Sequence, residues 1–264
     1  MLEEYRISDS GEIITFDKVA NAIELLKMYE PPEGYYVAFS GGKDSVVILD
    51  IVKRSGVKYD SHYNITTVDP PELVQFIKKE HPEVERHVPD KTMWQLIVEN
   101  GMPPLMNMRY CCKILKESGG GGRTTVTGVR RAESVKRSKR RAVENCYRDA
   151  SKTYLNIIID WEDDDVWEYI RGNKIKYCNL YDEGFLRLGC ILCPSASPKR
   201  KKQDIARWPK IAKAWKRACN KAYDVRKLKG LPMKYNHKNG DELYEWWISG
   251  KGNNGDHDQG VLFE

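Results

Sequence analysis

The sequence contains no apolar run that approaches the roughly 20 residues of a membrane-spanning helix, which excludes an integral helical membrane protein. Its first residues, MLEEYRISDSGEII, have neither the basic start nor the apolar segment of a secretory signal. Internal repeats are also absent. We therefore expect a cytoplasmic protein with no membrane segment.

Histidine is sparse, and its spacing along the chain is unlike that of metal ligands. We interpret all five as structural or exposed: His62, His81, His87, His237 and His257. The seven cysteines form an odd number in a chain without a signal, which favours thiols or metal ligands over a disulfide framework. Three of them show no ligand-like spacing and are interpreted as structural thiols: Cys146, Cys178 and Cys219.

The composition is that of a globular protein, with 41% hydrophobic and 31% charged residues. A chain of 264 residues is long enough for one full α/β domain and a smaller appendage. We predict a nucleotide-binding domain over 1–198 and a basic helical extension over 199–264. The net charge of +6 gives a mild preference for anionic partners, and nothing in the sequence indicates an oligomeric state.

Short β-prone runs alternate with runs of helical apolar spacing. The predicted strands cover 35–39, 61–68, 123–129 and 154–160. The predicted helices cover 17–29, 46–56, 72–82 and 162–173. This βαβ order predicts a doubly wound α/β fold with about five mostly parallel strands. Gly119–Gly122 form a four-glycine linker, interpreted as a flexible loop or a mobile lid.

The segment from Lys199 to Lys229 carries 13 Lys or Arg against two Asp. It is interleaved with Trp208, Trp215 and Tyr223, and it predicts an amphipathic helix with a basic outer face. The aromatic side chains either stack on nucleic acid bases or lie on the core side of the helix, and both interpretations fit the sequence. The stretch GKGNNGDHDQG that follows is expected to be loose.

The loop SGGKDS at 40–45 lies between a predicted strand and a predicted helix. Adjacent glycines at Gly41 and Gly42 allow backbone N–H groups to approach a phosphate, and the positive end of the helix adds to the attraction. Lys43 can neutralise phosphate charge, while Ser40 and Ser45 can donate hydroxyl hydrogen bonds. Asp44 can hold Mg²⁺ directly or through water.

SGGKDS resembles the loop of the PP-loop ATP pyrophosphatases, and residues 17–200 resemble one branch of them, the phosphoadenosine phosphosulfate (PAPS) reductase family. The further motifs that carry this resemblance are TTVDPPE at 66–72, RYCCKILK at 109–116, GVRRAES at 128–134, DWEDDDVWEYI at 160–170 and YDEGFLRLGCILCP at 181–194. The family's adenine nucleotide alpha-hydrolase-like fold and a bound adenine nucleotide are therefore expected.

The resemblance implies a set of site residues beyond the loop. It places Thr67, Asp69 and Glu72 near the adenosine, and Lys116 near both nucleotide and metal. It also assigns Gly128, Arg130, Glu133 and Ser134 to the phosphate or sulfate end, with Arg137 less firmly because a solvated basic helix is an alternative interpretation of that residue. Catalysis would then rest on Lys43, Asp44 and Arg130: Lys43 and Arg130 can stabilise the charge of a reacting phosphate, and Asp44 can organise the phosphates together with Mg²⁺.

Cys111 and Cys112 are adjacent, and Cys190 and Cys193 form a CxxC pair. Four thiolates can bind a [4Fe-4S] cluster or a zinc ion, or they can be incidental. Adjacent cysteines are unusual for zinc. The arrangement resembles the [4Fe-4S] site of adenylylsulfate (APS) reductases and of related DNA-sulfuration proteins, so we predict the cluster.

The resemblance fails at one point, because the family's reductases carry a nucleophilic cysteine in a C-terminal ECGxH-like element that this sequence lacks. We therefore expect attack on the α-phosphate of ATP with Mg²⁺ and pyrophosphate release, in sulfur transfer to an acceptor such as a nucleic acid held by 199–229. Alternatives are an APS or PAPS reductase with a relocated or partner-supplied cysteine, and a non-catalytic nucleotide- or nucleic-acid-binding module. A sulfur donor or reductant protein is an expected partner.

Overall fold

A computed structural model describes residues 2–7, 10–146, 149–231 and 237–250 of the chain. The chain divides into two compact units. The first unit comprises residues 1–64, 71–87 and 118–188, and the second comprises 65–70, 88–117 and 189–264. Apart from Gly250, the stretch expected to be loose lies outside the described residues, as does His257.

Within the described ranges, every strand belongs to the first unit. In chain order they are β1 (Glu3–Ile7), β2 (Ile13–Asp17), β3 (Tyr35–Ala38), β4 (Tyr59–Asn64), β5 (Glu85–His87), β6 (Thr124–Val126), β7 (Val143–Cys146) and β8 (Asp149–Leu155). The α-helices of both units are α1 (Lys18–Met28), α2 (Lys43–Ser55), α3 (Pro71–Glu80), α4 (Met93–Asn100), α5 (Tyr110–Leu115), α6 (Asp163–Gly172), α7 (Pro198–Arg207), α8 (Pro209–Leu228) and α9 (Gly240–Ile248). Short 3₁₀ helices cover Arg131–Glu133, Arg137–Lys139 and Asn179–Tyr181.

The main sheet has six strands in the order β5-β4-β3-β6-β8-β7. Its neighbouring strands are parallel except for β7, which runs antiparallel to β8 at one edge. This confirms the α/β fold with a mostly parallel sheet, with one strand more than the five predicted. Neither edge strand, β5 or β7, was among the predicted strand ranges, and β7 lies in a charged segment that has no apolar alternation. A separate antiparallel hairpin of β1 and β2 was also not predicted.

The last predicted strand, at 154–160, is displaced in the structure. β8 ends at Leu155, and Ile157, Ile158 and Ile159 lie buried in the turn that follows. The apolar run was interpreted as extended because periodicity reports burial and does not report backbone conformation. The prediction of its burial was right, whereas the prediction of its conformation was wrong.

Helix α2 forms the centre of the first unit. Its apolar side chains are almost fully buried, and α1 and α6 both pack against it. Gly56 ends the helix with a φ of 76°, the left-handed conformation that glycine adopts without strain. At the start of α1, the Asp17 carboxylate accepts hydrogen bonds from the N–H groups of Val19 and Ala20. Both predicted helices are therefore confirmed.

The second unit is helical, and its core is a cluster of tryptophans. Trp215 on α8 packs edge-on against Trp94 with ring centroids 5.5 Å apart, and stacks on Trp247 of α9 at 4.5 Å. The Trp247 indole N–H donates to the Pro104 carbonyl at 2.8 Å, which satisfies a buried donor. These contacts tie α4, α8 and α9 together.

The units differ from the domain boundary predicted at residue 198. The second unit takes in 65–70, 88–117 and 189–198 because α4 packs against α8, far away in sequence. The predicted basic helix is two helices, α7 and α8, separated at Trp208. Trp208 and Trp215 are buried, so the core-side interpretation of these two residues holds. Among the described residues, no helix combines the length and the apolar character needed to span a membrane.

The four-glycine linker packs closely where it approaches β3. A Cβ added to Gly119 would clash with the Tyr36 hydroxyl, and one added to Gly120 would lie 2.7 Å from Thr125 Oγ1. The Lys152 ammonium also donates to the Gly119 carbonyl at 2.5 Å. β3 and β6 therefore leave no room for a side chain at Gly119 or Gly120.

Candidate functional site

The SGGKDS loop joins β3 to α2 as predicted. Gly41 has a φ of 70°, and a Cβ there would lie 2.7 Å from a Leu73 methyl carbon, so the turn requires glycine. Gly42 is the N-cap of α2 and supplies no side-chain cap. The Ser45 hydroxyl donates to the Gly42 carbonyl at 2.8 Å, and the Ser40 hydroxyl lies 3.3 Å from that of Ser45. The loop is thus pre-shaped at a helix N-terminus, where anions bind.

Tyr181 completes this helix start. Its hydroxyl accepts the Lys43 backbone N–H at 2.8 Å, which occupies one of the donors that a phosphate oxygen would use. Burial raises the pKa of Tyr181, so its hydroxyl stays neutral. Tyr181 lies in a motif of the resemblance, yet sequence reasoning gave it no role.

A cleft of about 420 Å³ opens in front of this helix start, within the first unit. Its polar lining comes from the loop, from the segment after β6, and from the segments around α6 and Tyr181. The charged residues that line it are Lys43, Asp44, Arg130, Glu133, Arg137, Asp163 and Arg187. The lining therefore has four cations and three carboxylates, an excess that suits an anionic ligand.

Four of these charges form one network. Arg130 Nε donates to Asp44 Oδ1 at 2.7 Å, and Arg130 Nη2 donates to Asp163 Oδ1 at 2.6 Å. Lys43 Nζ reaches Asp163 Oδ1 at 2.8 Å and Asp44 Oδ1 at 3.2 Å. Although burial alone would raise it, these hydrogen bonds and charges lower the pKa of Asp163. Asp163, whose side chain is 63% exposed, was not among the predicted site residues.

The Arg130 side chain has three hydrogen-bond partners, two of them carboxylates. The residue is 2% exposed, and its third contact is the Trp161 carbonyl at 3.2 Å. Burial lowers the pKa of Arg130, but the two carboxylates raise it by more, so the net shift is upward. A side chain held on three sides is pre-organised, and both Lys43 and Arg130 line the cleft with their positions already set.

A second charged group lies around Glu133. Arg137 forms an ion pair with its carboxylate, and Arg187 Nη2 lies 3.9 Å from it. The Arg187 side chain is largely exposed, and its only signal in the sequence is its presence in a family motif. Ser134, predicted as a ligand residue, lies outside the cleft lining, and its hydroxyl accepts the Arg137 backbone N–H at 3.3 Å.

Gly128 lines the cleft and lies close to Asp44. A Cβ at Gly128 would lie 3.1 Å from the Asp44 Cβ, tighter than most packed contacts. The glycine therefore allows the strand end after β6 to lie against α2. Arg130 reaches the carboxylates of Asp44 and Asp163 from this position.

The predicted cysteine ligands come together in the second unit. They line one pocket with Lys116 and Trp215, and Cys111 and Cys112 belong to the first turn of α5. Cys190 Sγ lies 3.4 Å from Thr66 Oγ1. The tertiary fold thus brings together two pairs that are distant in sequence.

The CxxC turn is fixed by backbone hydrogen bonds. Leu192 has a φ of 58°, an unfavourable value for a leucine, and its N–H donates to Asp204 Oδ2 at 2.8 Å. The Ile191 N–H donates to the Val68 carbonyl at 2.8 Å. Asp204 is fully buried and also accepts from Arg200 Nε at 2.6 Å. These contacts point the two cysteines of the turn into one pocket.

The electrostatics of this pocket act differently on its thiols, and burial raises the pKa of Cys190. A hydrogen bond from Cys111, and then the charges of Lys116 and Arg109, lower the pKa of Cys112 to about 6. The same hydrogen bond and burial raise the pKa of Cys111. The charge of a Cys190 thiolate raises the pKa of Lys116, which keeps the ammonium protonated. A cationic residue beside four sulfurs offsets the negative charge of a thiolate-bound metal group.

Both predicted metal groups, a [4Fe-4S] cluster and a single zinc ion, take four thiolate ligands, and these four cysteines could supply them to either group.

Two further predicted ligand residues, Thr67 and Asp69, belong to the same unit as these cysteines. Thr67 has a φ of 64°, which is rare for a β-branched residue, and its hydroxyl accepts the Met93 N–H at 2.9 Å. Asp69 accepts the Thr66 N–H at 2.7 Å and contributes to the raised pKa of Lys116. Glu72 belongs to the first turn of α3 in the first unit.

The remaining cysteines behave as the sequence predicted. Cys178 and Cys219 are buried, and burial raises the pKa of Cys219 to about 12. Cys146 is part of the edge strand β7, where the Tyr154 hydroxyl lies 3.6 Å from its sulfur. None of the three lines the cleft.

Comparison with known proteins agrees with this geometry. The profile of the phosphoadenosine phosphosulfate reductase domain matches residues 34–196. The chain belongs to this family. That match spans the SGGKDS loop, Arg130 and all four clustered cysteines.

The similar proteins differ in how much of them the chain covers. Adenosine 5'-phosphosulfate reductase of Oceanobacillus iheyensis is 29% identical over 182 residues, which is 65% of this chain and 75% of that enzyme. An uncharacterized protein of Methanocaldococcus jannaschii is 30% identical over 230 residues, which is 79% of this chain but 46% of its own length. The crystal structure of PAPS reductase from Candida auris, in a phosphate complex, matches with a TM-score of 0.50 and 18% identity, covering 64% of this chain and 88% of that one. This last likeness supports the fold alone.

Proposed function

We propose that this member of the PAPS reductase family cleaves ATP at the α-phosphate. The observation that carries the proposal is the composition of the cleft. Its lining contains Lys43, Arg130, Arg137 and Arg187 but, among the described residues, no cysteine. A sulfonucleotide reductase requires a thiol that attacks the sulfate sulfur, whereas phosphoryl chemistry requires cations and oriented N–H groups.

In the proposed reaction an acceptor oxygen attacks the α-phosphorus. The bond from that phosphorus to the bridging oxygen breaks, and pyrophosphate leaves with the electron pair while the acceptor loses its proton to water. Backbone N–H groups at the start of α2 bind the phosphates, and Lys43 and Arg130 stabilise the charge that develops at phosphorus. A sulfur nucleophile then displaces AMP from the adenylated acceptor.

Asp44 and Asp163 have two parts in this scheme. Their carboxylates hold Lys43 and Arg130 in position, as their hydrogen bonds indicate. They are also the carboxylates that would hold Mg²⁺, which would neutralise part of the triphosphate charge. Entering phosphates compete with these two carboxylates for the same cations, so nucleotide binding and the ion-pair network are linked.

Cys111, Cys112, Cys190 and Cys193 would hold a [4Fe-4S] cluster. Such a group would supply electrons or a sulfur-binding iron to sulfur transfer. Anaerobically purified protein should be brown and should contain about four irons and four acid-labile sulfides per chain. Cys193→Ser should abolish the colour, and Cys146→Ser should retain it. Colourless wild-type protein with one zinc would contradict the assignment.

Sulfonucleotide reduction is the second candidate, and the relatives favour it. The Oceanobacillus iheyensis protein with 29% identity is named an adenosine 5'-phosphosulfate reductase. Under this hypothesis the nucleophilic thiol comes from a partner protein or from a residue outside the cleft lining. The cationic residues of the cleft would then bind the phosphosulfate.

A parallel assay separates the two reactions and a third hypothesis, a binding module without turnover. ATP with Mg²⁺, APS and PAPS are offered with a thiol reductant and with RNA or DNA, and the products are identified. Pyrophosphate and AMP from ATP support the proposal, and sulfite from APS or PAPS replaces it with reduction. Nucleotide binding without any product supports the binding module.

The chain offers a matched pair of lysines for this assay. Lys43→Met should abolish product formation, because Lys43 is 4% exposed and lines the cleft. Lys53→Met should leave it unchanged, because Lys53 lies on the same helix and pairs with Glu83 on the outside. Equal effects of both substitutions would contradict the assignment of the cleft.

A nucleic acid acceptor is proposed on charge alone. α7 and α8 carry most of the 13 basic residues of 199–229, and most of these side chains are exposed. Lys201 is an exception, since it is 1% exposed and donates to the Trp247 carbonyl at 3.1 Å. Binding should fall steeply with salt and should not depend on Trp208 or Trp215, which are buried.

A further inference from the structure

A second group of metal-type ligands lies on the main sheet of the first unit. His62 on β4 is in register with Glu85 on β5, and His87 follows two residues later on the same face of β5. His62 Nδ1 lies 2.8 Å from His87 Nε2 and 3.4 Å from Glu85 Oε2. The distance from His87 Nδ1 to Glu85 Oε1 is 3.8 Å. One ligand atom from each residue lies within 4.8 Å of the others.

The surroundings of His62 hold its imidazole ring in the way that metal-bound histidines are held. Its Nε2 is hydrogen-bonded to the Asp60 carboxylate, which leaves Nδ1 as a lone-pair donor toward His87 and Glu85. Asp60 is itself held by Arg123, whose Nη1 donates to Oδ2 at 2.7 Å. A carboxylate behind the distal nitrogen fixes the tautomer and raises the basicity of a ligating imidazole.

The ring is also fixed by stacking. The Tyr36 ring lies 4.1 Å from the His62 ring with only 5° between their planes. His62 is 8% exposed, whereas the side chains of His87 and Glu85 are 39% and 65% exposed, so an ion can reach the site from solvent. One ligand is therefore rigid and buried, and the other two can adjust.

We propose that His62, Glu85 and His87 bind a divalent cation of the zinc class. Two imidazoles and one carboxylate supply three ligands, and a water completes the tetrahedron. Zn–N bonds of about 2.0–2.1 Å require an N···N distance of about 3.3 Å, so the two rings separate by about 0.5 Å when the ion replaces their shared proton. The ion would join the three-residue edge strand β5 to β4.

Cobalt(II) distinguishes this site from the cysteines. When bound by nitrogen and oxygen, Co²⁺ gives visible ligand-field bands without the near-ultraviolet charge-transfer band of Co²⁺–thiolate. When Co²⁺ is added to anaerobically purified protein, we expect one Co²⁺ per chain to bind without thiolate ligands. Added Zn²⁺ should displace it. The same signal should persist when all four clustered cysteines are replaced by serine, which keeps the test valid if those cysteines also take up Co²⁺.

The variants decide which residues bind the ion. His87→Gln and Glu85→Gln should each weaken Co²⁺ binding at least tenfold, while His237→Gln, a histidine of the second unit, should not. Added Zn²⁺ should raise the Tm of the wild-type protein and of His237→Gln but not that of His87→Gln. Absence of a thiolate-free band, or a band unchanged in both ligand variants, would overturn the proposal. Neither outcome depends on the activity of the cleft.

Discussion

Replacing Arg130 with methionine tests the charged network of the cleft most directly. The variant removes a guanidinium that donates to Asp44 at 2.7 Å, to Asp163 at 2.6 Å and to the Trp161 carbonyl at 3.2 Å. Methionine keeps an unbranched apolar stem in place of the arginine stem and removes the guanidinium. The loss therefore comes mainly from charge and hydrogen bonding.

Two magnitudes follow from this geometry. Removing one partner of a fully buried ion pair costs about 3–5 kcal/mol. The Asp44 and Asp163 side chains are 24% and 63% exposed, so water can solvate them in the variant. We therefore expect a loss of about 1–3 kcal/mol in the free energy of unfolding, or roughly 2–12 °C in Tm. Loss of one group that stabilises transition-state charge should lower kcat by about 10²–10³-fold.

The assay measures both quantities on one preparation. Pyrophosphate release at saturating ATP and Mg²⁺ gives kcat, and thermal unfolding gives Tm. Arg131→Met is the matched control, because Arg131 is the next residue, pairs with Asp160 and lies outside the cleft lining. It should keep kcat within about twofold.

Two results would refute the reasoning. A folded Arg130→Met variant with kcat reduced less than tenfold would show that the guanidinium does not act on the reacting phosphate. An equal loss of kcat in Arg131→Met would show that the whole basic segment, and not the cleft network, matters.

Three further predictions concern the framework of the two units. Gly41→Ala should lower stability by about 2–5 kcal/mol, because a positive φ is combined with a 2.7 Å contact, whereas Gly56→Ala, with open space around it, should cost about 1–2 kcal/mol in the same thermal measurement. Lys18→Met should cost about 3–5 kcal/mol, because Lys18 Nζ and Asp165 form a buried pair at 2.6 Å. Burial raises the pKa of Asp165 and the Lys18 hydrogen bond lowers it, and the net change is a decrease. The contribution of the pair to stability is therefore present above about pH 4 and is lost as the pH falls through the lowered pKa. Wild-type protein should lose more stability in acid than the Lys18→Met variant. Asp204→Asn should at least halve the iron content, because it weakens the acceptor that holds the CxxC turn; unchanged iron would contradict that role.

Local motifs account for the part of the site that the sequence predicted. SGGKDS lies within six residues, so the strand, the turn and the helix start could be recognised together, and Lys43 and Arg130 do line the cleft. Asp163 and Arg187 lie within two quoted motifs of the resemblance, at 160–170 and 181–194, but nothing within those motifs distinguished them from their neighbours, and only the fold brings them to the cleft. Ser134 was predicted from a motif, but its hydroxyl faces the Arg137 backbone.

Histidine shows the same limit more sharply. His62 and His87 are 25 residues apart and were interpreted as structural or exposed, because no sequence spacing suggests a metal site. Their contact exists because β4 and β5 are neighbours in the sheet and their side chains face the same side. Pairing between strands is a long-range property, so ligands on two strands have no characteristic spacing in the sequence.

By itself, the sequence determined the mostly parallel α/β fold, the SGGKDS turn at the start of α2, and the two cysteine pairs, because helix periodicity, glycine pairs and close ligand spacing are local. Only the tertiary structure decided that α4 and α5 belong with the C-terminal helices, that Trp208 and Trp215 are buried, and that the described residues lining the cleft include Asp163 and Arg187 but no cysteine. Each of these depends on which distant segments share a core, and burial against a distant segment leaves no local pattern in the chain.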